Sequence, residues 1–229
     1  DATKAQIKTR AKTLQNANIN LWFADVNRED DDGVDTNYPP WATAVMAAAI
    51  QAGSAIGTPL TGKSLDVTNL GYNSNIDLND DTEDFIEYGA CVAGYDGDEY
   101  RIVRALSTWT NTDDQHLISP ANRSALAWTV YKVRYWVKIR HLGNKALKGN
   151  AASIKSTARD ALEDCRDIDE AIVEGSKLVG GRKVVIPAFD DVVCTQTGNV
   201  ATLSYKCVPV DGTGFVLVNT TVQPYQDVA

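Results

Sequence analysis

The strongest constraint on this chain is a pair of long helical patterns in its second half. Ser119 stands where an N-cap belongs and Pro120 where a first helical residue does, and the pattern runs to about His141 with Gly143 closing it. A second helical pattern covers residues 151–174. Two helices of this length joined by a short connection pack as a pair, so the second half must be organised around them. Their charges differ in sign. Between Ala121 and Arg140 there are five cations (Arg123, Lys132, Arg134, Lys138 and Arg140) and no acid, whereas Lys155 to Glu174 carries seven acids against three cations. Two accounts fit. Cations near a helix C-terminus are favoured by the helix dipole, and exposed salt bridges between the helices are worth little. Alternatively, both helices present charged faces to other subunits, where complementary potentials set register. On the second account the interface set is Lys132, Arg134, Lys138 and Arg140 on the basic helix, with Asp160, Glu163, Asp164 and Asp167 on the acidic one.

The basic helix also carries aromatics. Trp128, Tyr131 and Tyr135 share one face, and Leu126, Val130, Val133 and Val137 form an adjoining stripe. That is more apolar surface than one buried face requires. Core packing is expected for most of these residues, and a second, partner-facing stripe is the alternative.

The rest of the second half reads as strands at 184–186, 191–195, 200–208 and 215–222, separated by Gly, Asp and Asn turns. Apolar alternation is lost after Pro224, so 223–229 is expected to leave the body as a linker or arm. Residues 115–229 are therefore expected to form an α+β domain of two long helices and a small, mainly antiparallel sheet. The first half reads differently. A helix over 3–15 leads into a buried strand at 19–26, and an acidic loop over 25–35 follows. Pro39 and Pro40 open an Ala-rich helix over 41–52 that is apolar nearly all round and should be well buried. A short strand at 65–68 comes next, then a helix over 82–88 capped by Asp81 and ended by Gly89. Strands at 91–95 and 99–106 flank Asp96-Gly97-Asp98 as a hairpin. This order implies a layered α/β domain over residues 1–114, joined to the second domain through the polar stretch 111–115.

Composition narrows the function classes. With 22 Lys and Arg against 30 Asp and Glu the net charge is −8, which argues against nucleic acid as the main partner. No run approaches the roughly 18 apolar residues of a membrane helix, and residues 1–12 lack the apolar core of a signal peptide. Four cysteines, at 91, 165, 194 and 207, are too few and too irregular for a disulfide scaffold or a zinc site and read as free, buried thiols. A bridge between Cys194 and Cys207 stays open, because their strands could be neighbours. Two histidines leave little material for imidazole catalysis.

The local motifs that could carry chemistry fail one by one. Aligning Gly33 on the glycine of a calcium-binding EF loop puts Arg28 at the first ligand position and Pro39 at the last, so residues 29–35 read as a solvated acidic loop, with an irregular cation site as the alternative. Asp25, Asp66, Ser107 and His116 make a triad only on paper, because no nucleophile elbow surrounds the serine. Gly212 and Gly214 precede a strand and not a helix, so they form a turn and no phosphate cradle. No catalytic role is expected for Ser107, His116 or His141, and no cofactor or metal is expected.

Taken in order, several segments resemble the contractile tail sheath proteins of phages and related injection machines. They are the Pro-Pro and Ala-rich helix over 39–52, the GTPLT turn at 57–61, the hairpin ending YRIVRALST at 100–108, the YKVRY of 131–135, the HLGNKA break at 141–146, and the closing strands YKCVPV at 205–210 and FVLV at 215–218. The resemblance spans nearly the whole chain and rests on order and spacing together. It implies a subtilisin-like α/β domain without protease activity, here incomplete, followed by the sheath C-terminal domain. It further implies a fragment of a longer protein. In that family the C-terminal domain forms the inner layer around the tail tube, and arms of neighbouring subunits complete its sheet. The partners so implied are further copies of the chain, the tail tube protein, and the baseplate and tail terminator proteins, with no nucleic acid and no membrane. The setting is the virion tail, assembled in the host cytoplasm. Phe215 and Leu217 on the last strand join the expected interface set. The rival readings are a non-assembling binding module and a subtilisin-like hydrolase.

Overall fold

A computed structural model describes residues 2–72, 76–110, 118–143, 149–198 and 200–210. The chain is a mixed α/β protein. Among the described residues there are five helices and four small sheets, and every strand pair in those sheets is antiparallel.

Helix α1 (Lys4–Leu14) starts on a capping box: the Thr3 hydroxyl accepts from the Gln6 amide, and the Gln6 side chain accepts from the Thr3 amide. It buries Ile7 and Ala11 and turns Lys4 and Lys8 onto Asp81 and Asp84 of α3 (Leu78–Glu87). Asp77, not Asp81, caps α3, its carboxylate accepting from the Asn79 amide at 2.9 Å. The helix therefore starts four residues before the expected one. Asp81 is instead held by Lys4, whose hydrogen bond keeps the carboxyl below its ordinary pKa.

The strand expected at 19–26 is largely not a ladder strand. Leu21 makes one isolated parallel bridge to Ala90, and the segment is anchored singly, by Cys91 N–H to Leu21 O (2.9 Å) and Thr108 N–H to Ile19 O (2.8 Å). Regular pairing begins only at β1 (Asp25–Glu29). The acidic loop expected over 25–35 is in fact a hairpin between β1 and β2 (Asp35–Tyr38). Asp30 closes its turn by accepting from the amides of Asp32 (3.0 Å) and Val34 (2.9 Å), with Gly33 supplying a positive φ of 75°. On the other edge of β1 lies β3 (Asn69–Gly71), giving the order β2-β1-β3. The segment expected as a strand at 65–68 forms no ladder: Ser64 makes an isolated antiparallel bridge to Arg101, the Leu65 amide donates to the Tyr100 carbonyl at 2.7 Å, and ladder pairing comes only at 69–71.

Helix α2 (Trp41–Gly53) has the expected span but not the expected burial. Thr43 and Ala47 alone are fully buried, and the Thr43 hydroxyl donates to Ala24 O at 2.7 Å. The hairpin of β4 (Val92–Tyr95) and β5 (Tyr100–Arg104) forms around Asp96, whose carboxylate accepts from the amides of Asp98 and Glu99. Gly89, at φ 77°, sits where a Cβ would meet Ser107 O at 2.7 Å, so only glycine fits between α3 and β4. Two apolar clusters serve this half, one around Trp22, Leu60, Leu65 and Ile102 and one around Ile7, Phe85 and Val92.

Helix α4 (Pro120–His141) matches its expected bounds. Helix α5 (Asn150–Asp167) ends seven residues short of the expected Glu174. Glu170 takes a positive φ of 51°, and Ala171 and Ile172 are fully buried beyond it. The Ile172 bridge to Pro209 and the Val173 amide to Val208 O (3.0 Å) draw this segment out as extended chain. Tertiary burial thus overrides a sequence that reads as helix. The β6 (Gly175–Val179) and β7 (Arg182–Ile186) ribbon, turning on Gly180 and Gly181, contains a strand the sequence reading missed. Strands β8 (Phe189–Thr197) and β9 (Val200–Cys207) lie on α5, and the core here gathers Val133, Leu162, Cys165, Ile172 and Val192. The strand expected at 215–222, the arm at 223–229, the turn at 212–214, the joint at 111–115, and with them His116, Phe215 and Leu217, lie outside the described residues.

All four cysteines are free; Cys91 and Cys165 are buried as expected, but Cys194 and Cys207, on the two-stranded β8–β9 ribbon, are only half-buried. In the β8–β9 register Cys194 faces Leu203 and Cys207 faces Phe189. The two thiols are thus separated by four residues of strand, about 13 Å at ~3.3 Å per residue, beyond the ~7 Å that a disulfide spans between Cα atoms.

Candidate functional site

Helix α4 has two faces, and they do different things. The inward one places Ala121, Ala125, Thr129 and Val133 at successive turns, all fully buried. The Thr129 hydroxyl is satisfied by donating to Ala125 O at 2.9 Å. At the margin of this face, Asp169 receives two donors on one carboxylate oxygen: Lys132 Nζ at 2.7 Å and Trp128 Nε1 at 2.8 Å. Asp164 stands 3.5 Å from the same ammonium. Burial works against the charge of Lys132, but the bond to Asp169 and the field of Asp164 more than offset it, and its pKa lies above the ordinary lysine value. The neighbouring Cys165 thiol is pushed up to about 11, chiefly by burial. This cluster pins α4 to α5 and to the chain just beyond it. At the far end, His141 Nε2 lies 2.8 Å from the Thr157 hydroxyl.

The outward face is apolar, and nothing among the described residues covers it. Tyr131 (57% exposed), Tyr135 (48%) and Ile139 (59%) follow one another at four-residue steps, which is one side of a helix, and exposed Leu142 (74%) stands just past its end. Trp128, Tyr131 and Tyr135 run ring to ring, with centroids 5.6 and 6.0 Å apart. Arg134 and Lys138 are exposed on the same helix, and the Arg140 guanidinium lies 4.5 Å from the Trp136 ring centroid.

The expected interface residues are therefore of two kinds. Lys132 and Asp164 are engaged within their own chain, Arg140 reaches Asp160 at 3.5 Å, and Asp167 takes a two-pronged pair from its neighbour Arg166 at 2.6 and 2.8 Å. Arg134, Lys138 and Glu163 are exposed, and no ion pair to them occurs among the described residues. The sequence reading missed Ile139 as part of the uncovered stripe and Leu142 just past the helix end, although the spacing of Ile139 from Tyr131 and Tyr135 is legible. It also missed Asp169 as the acid that fixes Lys132; no local pattern marks it, since the pairing depends on the chain turning back after α5.

Other exposed apolar surface lies on α2, at Trp41 (61%) and Val45 (57%), and on the β6–β7 ribbon, at Leu178, Val179 and Val185. Of the residues weighed for a triad, Asp66 pairs with Arg28 at 2.8 Å, and Ser107 is buried with its amide donating to Ile118 O. Asp25 opens β1. Among the described residues no group of three or more His, Cys, Asp or Glu is placed to hold a metal ion, and no helix is long and apolar enough to cross a membrane. No protein-family model matches the chain, and no curated protein matches it.

Proposed function

We propose that this chain is a structural subunit of a contractile tail sheath, polymerising helically around a tail tube and contracting to drive that tube through a cell envelope. The observation that carries the reading is the uncovered apolar stripe on α4. A helix whose inward face is already satisfied keeps Tyr131, Tyr135 and Ile139 in water, with Leu142 just beyond its end, and exposure of that kind marks an interaction surface. The order of segments that resembles sheath proteins supplies the identity of the assembly.

Two further features support it. The β8–β9 ribbon carries no third strand among the described residues, so an arm from a neighbouring subunit has an edge on which to add. The layered, non-catalytic subtilisin-like domain and the sheath C-terminal domain remain the finer form of the proposal, with the division near residue 114. Partners on this reading are other copies, the tail tube, the baseplate and the tail terminator, in the virion tail. Subunits would move as near-rigid bodies during contraction, with exchanged strands keeping the lattice connected. Exposed charges such as Arg134, Lys138 and Glu163 suit contacts that must break and re-form, because each is worth about 0–1 kcal/mol.

Sedimentation across a concentration series, followed by negative-stain imaging, tests the reading. Rings, stacks or helical tubes are expected. A species that stays monomeric at every concentration and salt, alone and with a tail tube, would overturn it in favour of a non-assembling binding module.

A further inference from the structure

Two separate apolar surfaces are left open, and their electrostatic surroundings are opposite. Beside the exposed Trp41 and Val45 of α2, the β1–β2 hairpin forms one wall of a cleft of about 420 Å³ with Val26 and Met46 among its lining residues. Glu29, Asp30 and Asp31 also line it, and the one cation there, Arg28, is already paired with Asp66 at 2.8 Å. The cleft is thus mixed, as polar as it is apolar, with exposed Trp41 and Val45 on one side and an acidic rim on the other. The α4 stripe is apolar with a cationic rim, Arg134 and Lys138. Both are exposed in the folded chain, so neither covers the other.

We propose that the α4 stripe of one copy docks into the α2 cleft of the next. This contact rests on the self-assembly reading and deepens it by naming the two faces. Charge complementarity selects the occupant: like faces would bring cations to cations or acids to acids, whereas unlike faces neutralise both rims while burying both apolar surfaces. A contact between two different patches of one chain is heterologous. It leaves a free face at each end of every dimer and so propagates into a ring or an open helix.

The experiment uses the full chain with Ile139→Asp on the α4 face and Val45→Asp on the α2 face. Both sites are exposed, and thermal melts establish that each variant is folded. In sedimentation velocity the parent is expected to grow beyond a dimer with concentration. Each variant alone is expected to associate at least tenfold more weakly. An equimolar mixture is expected to form a one-to-one dimer and stop, since each variant supplies the face the other lacks. A gentler pair guards against misfolding: Lys138→Glu should weaken assembly, and adding Asp31→Lys to the same chain should restore it.

Two monomeric variants that ignore one another when mixed would overturn the contact. Loss of assembly in the α4 variant alone, with the Val45 variant like the parent, would show α4 meeting itself or an unrelated protein and would overturn it as well. If Ile139→Asp lowers the melting temperature and a chain ending at Val210 begins to self-associate, residues 211–229 cover the stripe and the proposal fails. Assembly that survives both variants removes this contact and leaves the sheath reading standing, whereas a parent that never assembles removes both.

Discussion

The two faces of α4 both carry apolar side chains but obey different rules. The inward face uses small residues, Ala121, Ala125 and Thr129, which let α5 approach closely, and it handles its one embedded cation by giving Lys132 two acids. The outward face uses Tyr131, Tyr135 and Ile139, residues too large for close helix packing, and keeps Arg134 and Lys138 free of intrachain acids among the described residues. The difference teaches that apolar content alone does not reveal which face is core. Side-chain size and the fate of the nearest charge do.

That contrast breaks most readily from the inside. Leu162 is fully buried between α4 and the β8–β9 ribbon, so Leu162→Ala should lower stability by about 2–5 kcal/mol, read from urea unfolding. A loss below about 1 kcal/mol would mean that the helix pair is not the core of this half. Next in size is Asp169→Asn, which retains an acceptor for Trp128 Nε1 but removes the charge that holds Lys132. It should cost about 1–3 kcal/mol, and Lys132→Met in the same chain should recover much of that.

The pH dependence sharpens the comparison further. Because the folded-state pKa of Lys132 is raised, its contribution is fully present below the ordinary lysine pKa of 10.5 and fades as pH climbs through the higher folded value. The raised thiol of Cys165 acts in the same direction between 9 and about 11. Alkali acts on the first half in the same direction, because burial pushes the Cys91 thiol up to about 12. The first half answers to acid as well. Hydrogen bonds from Lys4 and Lys8 lower the pKa of Asp81 and Asp84, so what these pairs contribute is present above the ordinary carboxylate value of 3.8 and is lost as pH falls through the depressed one. Amide exchange in α1 should rise at low pH before exchange in α4 does.

Thiol reagents distinguish buried from accessible surface without changing stability. At neutral pH Cys194 and Cys207 should be alkylated well before Cys165 and Cys91, the latter fully buried with its pKa pushed up to about 12. Equal rates at all four would mean that the native packing is loose. The smallest effect belongs to the outward face: Tyr135→Ala should change monomer stability by less than about 0.5 kcal/mol, with its consequence confined to assembly.

Much of the fold is legible in the residues alone. The start of α4 after Ser119, with Pro120 in its first turn, and its end at His141 follow from local chemistry, as does the hairpin around Asp96 and Gly97, because helix starts and turns are decided within four or five residues, although the Ser119 side chain makes no capping hydrogen bond. The Ala-rich run of α2 likewise announces a helix. Its exposure is not legible, since an all-apolar pattern does not say how many sides the fold covers. The hairpin inside the acidic stretch 25–38 escapes for a related reason: β1 and β2 are too polar to resemble strands, and they pair because Asp30 and Gly33 make the turn and β3 supplies a second partner.

What the sequence determined by itself is the set of helices, the opposite charges of α4 and α5, and the surplus of apolar surface on α4, all of which are properties of short windows. Only the tertiary structure decided that Lys132 belongs to Asp169, that α5 stops at Asp167, and that Tyr131, Tyr135 and Ile139 stay in solvent. These outcomes depend on residues distant in sequence competing for the same space. Burial of Ala171 and Ile172 outweighs another turn of helix, and once that segment turns inward it carries Asp169 to Lys132 and leaves the opposite side of α4 with nothing to cover it among the described residues.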